Sequence, residues 1–121
     1  MQDSNVSVGP KITELSKSLD DSMLTNSSFA GRASGRSMEG VGIFDGDILI
    51  IERAAKPQNG DVIVAVLNGQ YICKIADLKN NQLLSANPDN LPVKLTKYDQ
   101  YNIEGVVLSS IRLHRTMNIL G

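Results

Sequence analysis

The run Asp61-Val62-Ile63-Val64-Ala65-Val66-Leu67-Asn68-Gly69-Gln70-Tyr71-Ile72-Cys73-Lys74 decides the fold class of this chain. Two β-rich stretches flank an Asn-Gly pair. Both central residues of a two-residue type I′ turn need positive φ, which Asn and Gly adopt at the least steric cost. A turn at Asn68-Gly69 then fixes a register, with Leu67 opposite Gln70, Ala65 opposite Ile72 and Ile63 opposite Lys74. Those six side chains share one face of the hairpin, so Lys74 is predicted to stand among Ile63, Ala65 and Ile72, with Asp61 diagonally across.

Outward from this hairpin, short β-rich runs recur between turn residues: Asp47 to Glu52, Leu83 to Ala86, Pro92 to Thr96 and Ile103 to Leu113. Short strands without a sustained helical period predict a mostly β fold in one compact domain over residues 29–121. Ile48 to Ile51 does not alternate, which predicts a strand covered on both faces. Residues 1–28 are rich in Ser, Asn, Asp and Thr and read as an N-terminal arm. Within the arm, Ile12, Leu15, Leu19 and Met23 recur at helical spacing behind Pro10, so an amphipathic helix and an extended arm are both open there.

With 121 residues and 41% apolar composition, the chain can fill one modest core. Twelve basic against thirteen acidic residues give a net charge of −1 with no long run of either sign. That balance argues against direct DNA binding. The longest apolar stretches fall short of the ~20 residues that span a bilayer, and Met1-Gln2-Asp3-Ser4 has no signal-peptide character, so a cytoplasmic protein without a membrane anchor is expected. Cys73 is the only cysteine, which excludes an internal disulfide and any metal site built on paired cysteines. It reads as a core residue.

A lysine on an apolar hairpin face needs a reason, because lysine is rarely buried without a partner or a role. The plain reading is a strand lysine that snorkels to water. The alternative is a desolvated amine, driven toward its neutral form and able to act as a general base near neutral pH. A base needs a nucleophile, and Ser34-Gly35-Arg36-Ser37-Met38-Glu39-Gly40 offers Ser37 on a turn between two glycines. Such a turn can expose the hydroxyl and leave backbone N-H groups for an oxyanion. The same run is also compatible with an ordinary loop. Met38 reads as core packing, and Asp45 and Asp47 read as turn chemistry before a buried strand.

The run Ser34-Gly35-Arg36-Ser37-Met38, followed by Gly42-Ile43-Phe44-Asp45-Gly46-Asp47-Ile48-Leu49-Ile50, resembles the serine segment of the LexA/UmuD-type autopeptidases. Gly60-Asp61-Val62-Ile63-Val64-Ala65 and Asn68-Gly69-Gln70-Tyr71-Ile72-Cys73-Lys74 resemble the family's lysine hairpin, and Ile103-Glu104-Gly105-Val106-Val107 looks like its last core strand. The resemblance covers about Phe29 to Leu113. It implies a LexA/signal-peptidase-like β domain, Ser37 as nucleophile, Lys74 as general base, and backbone N-H groups of Ser37 and Met38 as the oxyanion hole, with no metal and no cofactor. Activation by a neighbouring amine also suits a serine without a histidine partner. His114, the sole histidine, follows the last strand and reads as a surface residue.

Members of this family cut their own arm before a glycine. Val8-Gly9 and Ala30-Gly31 both qualify, but Gly31 lies only six residues before Ser37, too short a tether for its own backbone to return. Val8-Gly9 is the candidate site because it is expected on a flexible arm with ample reach, although Val8 is bulkier than the family's usual residue there and Pro10 follows directly. A weak or vestigial activity is compatible with those departures. LexA and the phage repressors carry a DNA-binding helical domain that 28 largely polar residues do not supply, so the resemblance is closest to UmuD. It implies a self-cleaving accessory subunit of an error-prone translesion polymerase in the SOS response: a homodimer, cleaved with help from a RecA nucleoprotein filament and bound to a UmuC-like Y-family polymerase. A non-catalytic dimerisation and polymerase-docking module, and a repressor-derived regulatory domain lacking its DNA-binding part, remain open. A signal peptidase shares the chemistry but needs an anchor.

Overall fold

The structure, a computed structural model, describes residues 5–9 and 26–115. The described residues form eight strands: β1 Asn5–Gly9, β2 Ser28–Ser34, β3 Ile48–Glu52, β4 Val62–Leu67, β5 Gln70–Asp77, β6 Gln82–Leu84, β7 Val93–Lys94 and β8 Tyr101–Ile111. The only helical element among the described residues is one 3-10 turn, Glu39–Val41. The expected mostly β fold is therefore the observed one. Residues 10–25, where the sequence left a helix open, lie outside the described residues.

All eight strands form one antiparallel sheet in the order β1-β2-β3-β8-β4-β5-β6-β7. The sheet also closes on itself. Asn5 pairs with Ser34 on β2 and with Ile72 on β5, so β1 joins both ends of the run β2-β3-β8-β4-β5 into a six-stranded ring. The first 28 residues thus contribute β1 and the first residue of β2 to the sheet.

The hairpin has the register its turn dictates: Leu67 pairs with Gln70, Ala65 with Ile72 and Ile63 with Lys74. Asn68 and Gly69 take φ of 51° and 85°, the left-handed values that a type I′ turn requires. The tip is pinned from outside, because Asn68 N-H donates to the Gln100 carbonyl at 2.7 Å and the Asn68 side-chain amide to Asp99 at 2.9 Å. β3 is buried along its whole length, as its unbroken apolar run predicts.

β8 is longer than either neighbour and serves both. Its first half pairs with β4 and its second with β3, with register shifts opposite Val64/Ala65 and Ile50/Ile51 that let it bend around the core. Gly105 sits at this bend because a Cβ there would lie 2.6 Å from the Ile51 side chain and 2.9 Å from the Glu52 carbonyl. Two apolar clusters fill the fold. One gathers Val6, Phe29, Met38, Leu49, Ile51, Val64 and Cys73; the other gathers Ile63, Ala65, Ile72, Ala76, Leu83 and Val106.

Candidate active site

The lysine comes from the regular part of the fold. β-strand alternation turns Cys73 into the first cluster and Lys74 to the opposite face of β5, and Lys74 is only 2% exposed. Burial pushes the Cys73 thiol up to about 12, partly offset by the neighbouring Lys74 charge. Asp61, which the sequence sets diagonally across the hairpin, uses its carboxylate to accept the Gln58 N-H at 2.8 Å and so closes the turn before β4.

The serine comes from an irregular segment held by tethers. β2 ends at Ser34, Gly35 takes φ of 88°, and the chain turns through Ser37 into the 3-10 turn. Met38 has φ −113° and ψ 14°, close to the sparsely populated bridge region where active-site residues are often found. Met38 itself is fully buried in the first cluster.

Three remote groups fix the turn. The Asp45 carboxylate accepts the Gly35 N-H at 2.9 Å. Ala86 N-H donates to the Ser37 carbonyl and Gly40 N-H to the Ala86 carbonyl, each at 2.7 Å. The Asn87 side-chain amide donates to the Arg36 carbonyl at 3.2 Å. Gly40 must be glycine for this docking, since a Cβ would lie 2.3 Å from the Ala86 carbonyl oxygen.

Across this junction the Lys74 amine stands 3.4 Å from the Ser37 hydroxyl, which is completely buried. The two sequence-predicted catalytic side chains are thus brought together. A second hydroxyl, that of Ser85, is closer still and accepts from the Lys74 amine at 2.8 Å. The sequence reading missed Ser85. Its only local signal is its position just after a short strand that follows the lysine hairpin.

The other candidate residues fall as follows. The carbonyl of Ser37 is occupied by Ala86, and that of Met38 accepts from Val41 and Ile43 at 3.1 and 3.3 Å, so the carbonyls of the turn are directed into the fold. Val8 and Gly9 lie within β1, opposite Gly31 and Ala30, so the two qualifying dipeptides face each other in one ladder. From Gly31 to the end of β2 is about 10 Å at the rise of a strand. Asp47 does close a turn, accepting the Phe44 N-H, but this buried carboxylate also forms an ion pair with the half-exposed Arg112 at 3.0 Å. The Arg112 guanidinium lies 4.2 Å above the Phe44 ring, which ties the end of β8 to the serine segment. His114 is exposed.

A serine hydroxyl thus stands beside a buried amine in a closed antiparallel β fold. Residues 4–108 match the Peptidase S24-like family, and the chain belongs to that family, of the LexA/UmuD type. It is 37% identical over 90 residues to the LexA repressor of Syntrophotalea carbinolica, covering 73% of this chain and 45% of that protein. Over 88 residues it is 35% identical to Protein ImpA of Salmonella typhimurium, covering 73% of this chain and 59% of that one. The LexA repressor of Bordetella pertussis is 35% identical over 83 residues, or 67% and 38% of the two chains. The chain therefore spans less than two thirds of the length of these relatives.

Proposed function

We propose that this chain is a self-cleaving serine peptidase in which Ser37 and Lys74 form the catalytic dyad and the N-terminal arm is the substrate. The carrying observation is the 3.4 Å approach of a 2% exposed lysine amine to a buried serine hydroxyl. An amine removed from water can exist uncharged and accept a proton. Ser37 Oγ attacks the carbonyl carbon of the scissile bond as its proton passes to the Lys74 amine. The backbone N-H groups of Ser37 and Met38 take the oxyanion, and the Lys74 ammonium returns the proton to the leaving amine nitrogen. Water then hydrolyses the acyl-serine, its proton again taken by Lys74. Val8-Gly9 is the proposed bond.

By likeness to the UmuD branch, the biological role is that of an accessory subunit of an error-prone translesion polymerase in the SOS response. The chain would act in the cytoplasm as a homodimer, with a RecA nucleoprotein filament stimulating cleavage and a UmuC-like Y-family polymerase as partner. Two features support it: the match to the Peptidase S24-like family and the near-neutral charge, which suits protein partners better than direct DNA contact. Among the described residues no helix is long and apolar enough to cross a membrane.

One observation favours a second reading, a non-catalytic dimerisation and docking module. Val8 and Gly9 are held in the β1–β2 ladder, so β1 must leave it before the bond reaches Ser37. Mass spectrometry of the intact chain after incubation at alkaline pH separates the two. Loss of eight residues that disappears in Ser37→Ala and in Lys74→Ala supports the peptidase; an unchanged mass supports the module.

A further inference from the structure

We infer that Ser85 is the third member of this site, a positioning residue that fixes the Lys74 amine to receive the proton of Ser37. The inference rests on the dyad reading above. Of the two hydroxyls beside the amine, Ser85 is the nearer, at 2.8 Å against 3.4 Å for Ser37. The first distance is that of a well-formed hydrogen bond, and the second lies beyond the usual range. A neutral amine carries two N-H groups and one lone pair on a freely turning bond at the end of a flexible stem. Giving one N-H to Ser85 stops that rotation and lets the lone pair face Ser37. Ser85 neither gains nor loses a proton in the cycle.

The backbone around Ser85 is anchored to both halves of the dyad. On one side, β6 pairs with the lysine strand, Leu84 opposite Ile75 and Leu83 opposite Ala76. On the other, the next two residues bind the serine turn, through Ala86 to Ser37 and Gly40 and through Asn87 to Arg36. A shift of either half therefore moves against the same short segment. Misplacement by about 1 Å costs on the order of a hundredfold in rate, so a device that holds amine and hydroxyl in one frame has a catalytic effect.

The test uses the intact chain and a fluorophosphonate, which reports nucleophile activation whether or not a scissile bond is available. Labelling rates are measured at one alkaline pH for all variants, and the labelled residue is located by peptide mass spectrometry. The wild type should label at Ser37, and Lys74→Ala should not. Ser85→Ala should label about ten- to a hundredfold more slowly at an unchanged melting temperature. Ser85→Thr should restore the rate, whereas Ser85→Val, of the same shape as threonine without the hydroxyl, should stay slow. Labelling of Ser85→Ala at the wild-type rate overturns the inference, as does a label on Ser85 itself. Wild type labelling no faster than Lys74→Ala removes the dyad reading instead.

Discussion

The two halves of the candidate site are held by opposite means. Lys74 stands on a regular ladder, where its position follows from strand alternation and a two-residue turn. Ser37 stands on an irregular turn, positioned by isolated bonds from Asp45, Ala86 and Asn87. A ladder distributes its precision over many equivalent bonds, so weakening one changes little. A tethered turn concentrates it, so single substitutions far from the chemistry matter.

The ladder has one vulnerable property, its parity. Inserting one glycine between Asn68 and Gly69 and thereby slipping β5 by one residue would send Lys74 to the face now held by Cys73. Fluorophosphonate labelling should fall to the level of Lys74→Ala, the largest effect expected. On the tethered side, Gly40→Ala forces a Cβ to within 2.3 Å of the Ala86 carbonyl oxygen. A cost of about 1–3 kcal/mol is expected in denaturant unfolding, with labelling slowed more than tenfold as the turn is displaced. Equal labelling in Gly40→Ala and wild type would mean that the turn is not set by this docking.

Arg112→Ala should do less. It leaves Asp47 buried without its cation, but the Arg112 side chain is itself 48% exposed, so screening keeps the loss seen in denaturant unfolding smaller than that of Gly40→Ala. The Lys74 strand can be probed through its neighbour. The Cys73 thiol is raised from 9.0 to about 12 by burial, so the folded chain holds that proton more tightly than the unfolded one. Its contribution is complete below pH 9.0 and is lost as pH rises toward about 12, and Cys73 should resist iodoacetamide until the chain unfolds.

The smallest effect belongs to the hairpin tip. Hydrogen bonds from Asn68 and Thr96 hold the Asp99 carboxyl below its ordinary range. A depressed carboxylate stabilises above its unfolded value and loses that contribution as pH falls through the folded one. Protection factors for amide exchange at Thr96 and Asn68 should therefore fall in acid while the rest of the hairpin stays protected.

This contrast also explains what could be read from the residues alone. Turn type, hairpin register and the facing of Lys74 follow from Asn68-Gly69 and its flanks, because all the determining interactions lie within a few positions. The burial of β3 follows from an unbroken apolar run. β2 passed unrecognised, because Ser28-Phe29-Ala30-Gly31-Arg32-Ala33-Ser34 has few β-branched or aromatic residues and is a strand through its neighbours β1 and β3. Ser85 and the Asp47–Arg112 pair were equally hidden, since each joins groups far apart in the chain. Gly40 reads in the sequence as permission for a tight turn, whereas its role in the structure is steric, the close approach of Ala86.

β1 closes the ring by touching strands on both sides, with Asn5 opposite both Ser34 and Ile72. A cut at Val8-Gly9 would carry away four of the five residues of that strand, Asn5 to Val8. The barrel seam would open, and unsatisfied main-chain donors and acceptors on β2 would become available together with the apolar socket vacated by Val6. Processing would then do more than shorten the chain: it would turn an internal seam into an adhesive one.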